Sequence, residues 1–590
     1  MAQSRPVFNS LFPPLILILI LIACCAPAPA QGRAAAVAPA QGQPAQGSGP
    51  QTYLKILAQA QAKTGSKEWA EAAGLWEQVV ESNPVNGNFW NQLANARYQA
   101  KDYKSAIAAY QKVIELGFGF PSNAAYNIAC CYALTGDKEQ ALKWLDKSFE
   151  MGFRDLKNSQ EDTDLQSLRD DPRYRKIVGL AETGKMSRDE GWQYDLQLLA
   201  REVRRKAYSP AHHWSSEDFE TEAKNLNDAI PKLTDMQIVV GMMKLMRKVG
   251  DGHTGIIGST ERAEFLQSLP LQFYLFKEGL YIISADPKYR DLLGAQVLRF
   301  GDRTVDEVMQ ALDPLMSRDN EIWPSQVGPY RMRNLSLLNA LGLIPDAQKV
   351  QLTIRDGEGK TRAVTLQTDT SEPNIWNTLP NPKTWINLPQ TAPGPIPLYL
   401  KDMGTNYWFE YLPDSKMVYF QYNKVINGPQ ESLAQFTERL FKFINEHEVE
   451  KLVIDMRWNN GGNTFLEMPL IHALISNAKI NREGKLFVVI GRRTFSAAQN
   501  GATFIERNTK AIFVGEPTGS SPNFVGEETI FTLPYSRIQA NVSDLYWQSS
   551  WPFDYRTWIA PQIYTPPSFE AYRLNRDPAM EAIMAYHQNP

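Results

Sequence analysis

Residues 451–496 constrain this chain more than any other stretch. Lys451-Leu452-Val453-Ile454-Asp455 is a short apolar run of the kind that forms a buried strand. It feeds the turn Met456-Arg457-Trp458-Asn459-Asn460-Gly461-Gly462-Asn463. A second apolar run, Leu486–Ile490, delivers Thr494-Phe495-Ser496-Ala497-Ala498-Gln499 to the expected start of a helix. A serine at a helix start, beside a loop of free backbone amides, is the layout that acyl transfer needs. Such amides stabilise an oxyanion, and the helix dipole adds to them. Hydrolysis with Ser496 as nucleophile is therefore the leading reading.

At 590 residues the chain is too long for a single core, so several domains are expected. A hydrophobic content of 43% with 21% charged residues suits a globular protein. The net charge of −3 and the lack of a basic run argue against nucleic acid as a partner. Residues 1–30 read as an export signal: Arg5 supplies a positive start, and residues 15–23 are an apolar run too short to span a bilayer. Two exits follow. Leu21-Ile22-Ala23-Cys24 resembles a lipobox, which would make Cys24 a lipid anchor and the sole link to a membrane; Ala28-Pro29-Ala30 resembles an ordinary cleavage site. Either exit predicts a periplasmic or cell-envelope protein. The four cysteines, Cys24, Cys25, Cys130 and Cys131, form no spaced disulfide framework. His212-His213 reads as a surface pair, and no metal or cofactor is expected.

Residues 31–51, rich in Ala, Gln, Pro and Gly, read as a disordered linker. Beyond them a pattern recurs at roughly 34 residues. Ala72 and Trp76 are followed by Trp90, Leu93, Ala94, Ala106 and Tyr110, then by Ile128, Ala129, Ala141 and Leu145. Lys101-Asp102-Tyr103 and Gly136-Asp137-Lys138 would be the turns inside repeats. This pattern resembles the tetratricopeptide repeat. It predicts an all-α array over 52–183, closed by a helix over 165–178, that offers a concave face to a protein partner or acts as a spacer. Cys130 and Cys131 fall on a repeat helix, where packing rather than redox chemistry explains them.

Residues 187–260 are expected to be helical and to lead into Gly250-Asp251-Gly252-His253-Thr254. Residues 261–370 form a β-rich insert whose last hairpin turns at Asp356-Gly357, and 372–397 read as a long surface connection. Strand–helix alternation then fills a catalytic core over 397–590.

Four blocks in this order resemble the tail-specific (C-terminal processing) serine peptidases, and more closely their tricorn-core-like branch. Asp-x-Arg-x-Asn-x-Gly-Gly falls on Asp455, Arg457, Asn459, Gly461 and Gly462; Asp-Gly-His-Thr falls on 251–254; the nucleophile segment falls on Phe495-Ser496-Ala497-Ala498; and Gly515-Glu516-Pro517-Thr518-Gly519 follows. The resemblance implies a crotonase-like (ββα spiral) core, a PDZ-like insert at 261–370, a polypeptide substrate and no cofactor. It implies an oxyanion hole from the amides of Gly461 or Gly462 and of Ala497, with Asp455 and Arg457 bracing the turn. The better-known members use a lysine base in the segment 515–523, which here contains none. The tricorn-like branch uses a histidine, which falls on His253; its pKa near 6.5 suits a general base. The orienting acid departs from the pattern. Gln562 replaces an aspartate, Gly252 stands where a relay serine is found, and the nearest acid is Asp554, with Glu516 next.

The expected molecule is thus an exported serine endopeptidase acting on unfolded or tail-exposed protein. A catalytically inactive binding protein or adaptor on the same scaffold is the alternative. An acyl-thioester enzyme of the crotonase type shares the core, but export and the serine motif argue against it.

Overall fold

The structure, a computed structural model, describes residues 50–587 apart from 154, 181, 209–215 and 370–381. The expected export signal, Cys24, Cys25, most of the expected linker and His212-His213 lie outside the described residues. The first helix begins at Pro50, within the range expected to be linker.

Six helices, Pro50–Gly65, Trp69–Ser82, Gly87–Gln99, Tyr103–Glu115, Pro121–Leu134 and Lys138–Glu150, form three antiparallel pairs. The side chains of Asp102 and Asp137 cap the helices they precede, each accepting from a first-turn amide. Lys101 and Gly136 supply the positive φ that each turn needs. Ala72, Trp76, Leu93, Ala106, Tyr110, Ile128, Ala141 and Leu145 are all buried, so the repeat pattern is the packing pattern. Cys130 and Cys131 are buried free thiols, and burial pushes both pKa values up, that of Cys131 to about 12. The closing segment differs from the expected single helix. It is a 3₁₀ turn, Thr163–Leu168, followed by a short helix, Pro172–Ile177. Pro172 cannot continue a helix from the preceding turn but suits the first position of a new one, which Asp171 caps.

Three helices follow, Arg188–Lys206, Ser216–Ala229 and Asp235–Arg247. They share one core with an antiparallel sheet built from Leu271–Phe276, Gly279–Ala285, Gln296–Phe300, Lys349–Arg355 and Thr361–Gln367. The last two strands form the expected hairpin, Arg355 opposite Thr361. The 372–397 stretch is more than a surface connection where it is described. Ile386–Asn387 pairs with Gly279–Ala285, and Trp385 is buried beneath the Arg333 guanidinium.

The C-terminal region is organised by a six-stranded sheet. Its order is Ile563–Tyr564, Ile512–Gly515, Leu486–Ile490, Lys451–Asp455, Met417–Tyr422 and Tyr407–Leu412. All neighbours are parallel except the last pair. Both faces are covered, which is why the strands read as continuous apolar runs. Phe420, Leu452, Ile454, Val488 and Ile490 pack against the helices Leu433–Glu446, Met468–Ser476 and Ala497–Asn508. Tyr419, Val453, Phe487 and Val489 face the C-terminal helix Pro578–Ala585. The long hairpin Asn523–Thr532 and Gln539–Gln548 leaves this sheet. It pairs instead with Gly255–Gly258 and enters the core of the preceding helical layer. That crossing brings the segment after residue 250 up to the carboxyl ends of the parallel strands.

Candidate active site

The turn after Lys451–Asp455 is built on buried charge. Asp455 accepts hydrogen bonds from the Arg457 amide and Nε (3.1 and 3.0 Å) and from the Tyr419 hydroxyl (2.7 Å). The Arg457 guanidinium also makes a two-pronged bond to Asp577 (3.1 and 2.9 Å) and lies over the Tyr399 ring. These residues brace the turn, as expected. Buried Asn459 then ties the turn to the serine segment: its carbonyl accepts from the Phe495 amide at 3.2 Å, and its Oδ1 accepts from the Gly461 amide at 3.0 Å. Thr494 adds a bond to the Met456 carbonyl.

Gly461 and Gly462 have φ of 106° and 143°, so the backbone itself demands glycine. Space demands it too. A Cβ on Gly461 would sit 2.7 Å from Ser496 Cβ and 2.8 Å from the Ala497 nitrogen, and one on Gly462 would sit 2.2 Å from the Val425 carbonyl oxygen. The turn is pressed directly against the serine.

Ser496 itself has φ 56° and ψ −128°, a conformation that costs a non-glycine residue free energy. It precedes the helix Ala497–Asn508, yet its hydroxyl caps none of the first-turn amides. A plain capping serine would use the hydroxyl for that bond. Here the half-buried side chain opens into a cavity of about 510 Å³, which is also lined by His253, Gly252, Asn460 and Phe495.

The amides expected to form an oxyanion hole separate into two kinds. The Gly461 amide is already bonded to Asn459, which removes it from the expected set. The amides of Gly462 and Ala497 have no protein acceptor among the described residues.

His253 is held by its backbone and by ring stacking. Asp251 accepts from the amides of His253 and Thr254 at 2.9 and 2.5 Å, and Asp319 accepts from that of Gly252 at 2.6 Å. Asn541, on the long hairpin, donates to the His253 carbonyl. The imidazole stacks on Phe495 (ring centroids 4.5 Å apart) and on Phe524 (5.5 Å), and Phe495 stacks in turn on Trp323 (4.1 Å). Burial pushes the imidazole pKa down to about 4, with the Val525 carbonyl pulling weakly the other way. Neither ring nitrogen makes a well-formed hydrogen bond among the described residues.

The acids expected to orient the imidazole do not reach it. The Asp554 carboxylate binds the Arg556 side chain at 2.9 and 2.8 Å and the Ser550 hydroxyl at 2.6 Å, and this pairing holds its pKa far below the usual carboxylate range. Glu516 is paired with Arg492 through two 2.8 Å bonds. The carboxyls that do border the histidine turn are Asp251 and Asp319. Burial raises them to about 6 and about 7, against the bonds they accept; the neighbouring charge of Asp251 pushes Asp319 further up. Asp319 also accepts from Ser520, just beyond the 515–519 block. A serine at 252 has no room: a Cβ there would meet Phe495 at 2.9 Å and Asp319 Oδ1 at 3.0 Å.

Asp319, Trp323, Phe524 and Asn541 were not foreseen. They come from segments that carry no local pattern and meet the histidine only through the crossing hairpin and the β-rich region.

Comparison with known proteins finds family models only in the helical repeat half. A tetratricopeptide repeat model matches residues 57–119, and a model described as a domain of unknown function (DUF6340) matches 92–169. Among solved structures, the chain is similar to mature CPAF at 12% identity, covering 67% of this chain and 96% of that one, with a TM-score of 0.46. It is similar to the photosystem II D1 C-terminal processing protease at 13% identity, covering 67% and 99%, with a TM-score of 0.32. A putative S41 protease from Bacteroides fragilis matches at 14% identity over 56% of this chain and 85% of that one, with a TM-score of 0.28. The chain is thus a helical repeat array, matched in part by the tetratricopeptide model, followed by an α/β region of several sheets.

Proposed function

We propose that this chain is an exported serine endopeptidase, with Ser496 as nucleophile and His253 as general base. The observation that carries the reading is the strained, non-capping Ser496, whose side chain opens on the same cavity as the otherwise buried His253. His253 is neutral near pH 7 and can accept the Ser496 proton as Oγ attacks a peptide carbonyl. The amides of Gly462 and Ala497 would receive the oxyanion, at the positive end of the helix Ala497–Asn508. His253 then returns the proton to the leaving amine, and water releases the acyl group by the reverse sequence. The six-stranded sheet would be the crotonase-like core and the antiparallel sheet the PDZ-like insert. The repeats would recruit substrate or a protein partner, with Cys24 as a lipid anchor at the cell envelope.

The bare imidazole favours a second reading, a binding protein on a peptidase scaffold. Apo geometry does not decide between them, because catalytic hydrogen bonds often form only around substrate. Incubating the mature protein and its Ser496→Ala variant with unfolded casein, with fragments read by mass spectrometry, separates the two. Cleavage lost in the variant supports the peptidase. Equal silence from both folded proteins supports the binding protein.

A further inference from the structure

The cleft that holds Ser496 and His253 also contains a cation with no counter-ion among the described residues. Arg331 ends the helix Trp323–Arg331 and lines the cavity. Among the described residues its Nε is buried without a hydrogen-bond partner, and its Nη1 reaches only the Met243 sulfur, at 4.0 Å. Burial alone sets its pKa, down to about 10, with no acid working against it, so it stays charged at neutral pH. Arg333 and Arg493 line the same cleft; the Arg333 side chain bonds the Leu269 carbonyl and Ser268 hydroxyl. Glu528 is the one carboxylate among the lining residues. The lining residues thus carry three guanidiniums against one carboxylate, in a wall otherwise built by Met236, Met243, Phe265 and Leu337.

A half-buried guanidinium with a buried, unbonded Nε is costly unless something arrives to neutralise it. Its planar fork matches a carboxylate in two-pronged fashion. We propose that Arg331 is a specificity-determining residue that binds a carboxylate of the polypeptide in this cleft, an Asp or Glu side chain or a chain terminus. The position follows from the helix. Trp323, eight residues before Arg331, stacks on Phe495 beside the serine, and eight residues of helix advance about 12 Å. An extended peptide advances about 3.3–3.6 Å per residue. The recognised carboxylate thus lies within roughly three residues of the bond facing Ser496. This inference rests on the reading of the cleft as a polypeptide site.

The test is binding, which needs no turnover. In the Ser496→Ala background, a single Glu is walked along a neutral, amidated fluorescent peptide, with Gln at the same positions as control. One further neutral peptide carries a free terminal carboxylate. Anisotropy is expected to show one Glu position bound on the order of a hundredfold more tightly than its Gln counterpart. Adding Arg331→Gln should erase that preference, and Arg331→Lys should restore part of it. A gain confined to the free-terminus peptide identifies the terminal carboxylate as the ligand. Glu and Gln bound alike with no gain from the terminus, a preference that survives Arg331→Gln, or no binding at all overturns the proposal. Circular dichroism of Arg331→Gln checks the fold, which losing an unpaired half-buried charge should not harm. The same peptides offered to the unmodified chain separate the two readings. Acid-selective binding without cleavage sinks the peptidase and leaves this inference standing; cleavage without acid preference does the reverse.

Discussion

Phe495 stacks on His253 with ring centroids 4.5 Å apart and planes 24° apart. The residue immediately before the proposed nucleophile thus helps hold the proposed base, together with Phe524. Removing the ring should release the imidazole while leaving both functional groups in the chain.

Phe495→Leu is therefore expected to lower kcat/KM by about tenfold to a hundredfold, the usual penalty for a misplaced catalytic group. Phe495→Ala should add a stability loss of about 3–5 kcal/mol through the cavity it leaves. Steady-state kinetics with denaturant unfolding distinguishes the effects; full activity in a folded Leu variant would remove the positioning role.

Gly461→Ala should be more damaging to activity than its size suggests, because the new methyl meets Ser496 and the Ala497 amide. A loss of about a hundredfold or more in kcat/KM is expected. Gly357, in an open hairpin turn with nothing near its Cβ position, is the control. Similar kinetics for Gly461→Ala and Gly357→Ala would contradict the account.

Asp577→Asn breaks half of the clamp on Arg457. Because Asp455 remains as a partner, the stability loss should be about 3 kcal/mol, at the low end for breaking a buried pair. Asp577→Glu should recover part of it. An unchanged urea midpoint in the Asn variant would show that the clamp is idle.

Burial holds the His253 pKa at about 4, so the base stays unprotonated well below the ordinary 6.5. The acid limb of kcat/KM against pH should lie nearer 4 than 6.5. An inflection at 6.5 that persists in Asp319→Asn, where the neighbouring carboxyl cannot titrate, would rule this out.

Asp319 shifts the other way, from 3.8 to about 7. The fold favours its protonated form. Its contribution is fully present below about 3.8 and is lost as pH rises through about 7. Asp319→Asn stays neutral and keeps that contribution, so its stability relative to the parent should improve from pH 4 to pH 8. His253, with its depressed pKa, loses its contribution as pH falls from 6.5 towards 4, but it does so in both proteins and cancels. Denaturant midpoints at the two pH values test this; an identical difference at both would refute it.

The juxtaposition of the glycine turn and Ser496 was legible because the strands that carry them, Lys451–Asp455 and Leu486–Ile490, are consecutive and pair in parallel. Their loops must then emerge side by side at the same sheet end. The repeat array was legible for a similar reason, since its contacts are local and periodic. His253 was reached through a motif, but its surroundings were not, for they depend on a hairpin that leaves one sheet for another. Asp554 shows the same limit. Its position suggested an orienting acid, yet Arg556, two residues on, already claims the carboxylate. A closing helix over 165–178 missed the break that Pro172 imposes.

The clamp from Asp577 to Arg457 spans 120 residues of chain. On a ribosome, the serine turn emerges long before the carboxylate that locks it, and before the helix that covers the far face of its sheet. A nascent chain therefore carries Ser496 without its finished scaffold. In the proposed peptidase the cutting machinery would be completed late in synthesis, sparing the chain and its neighbours while they are still unfolded.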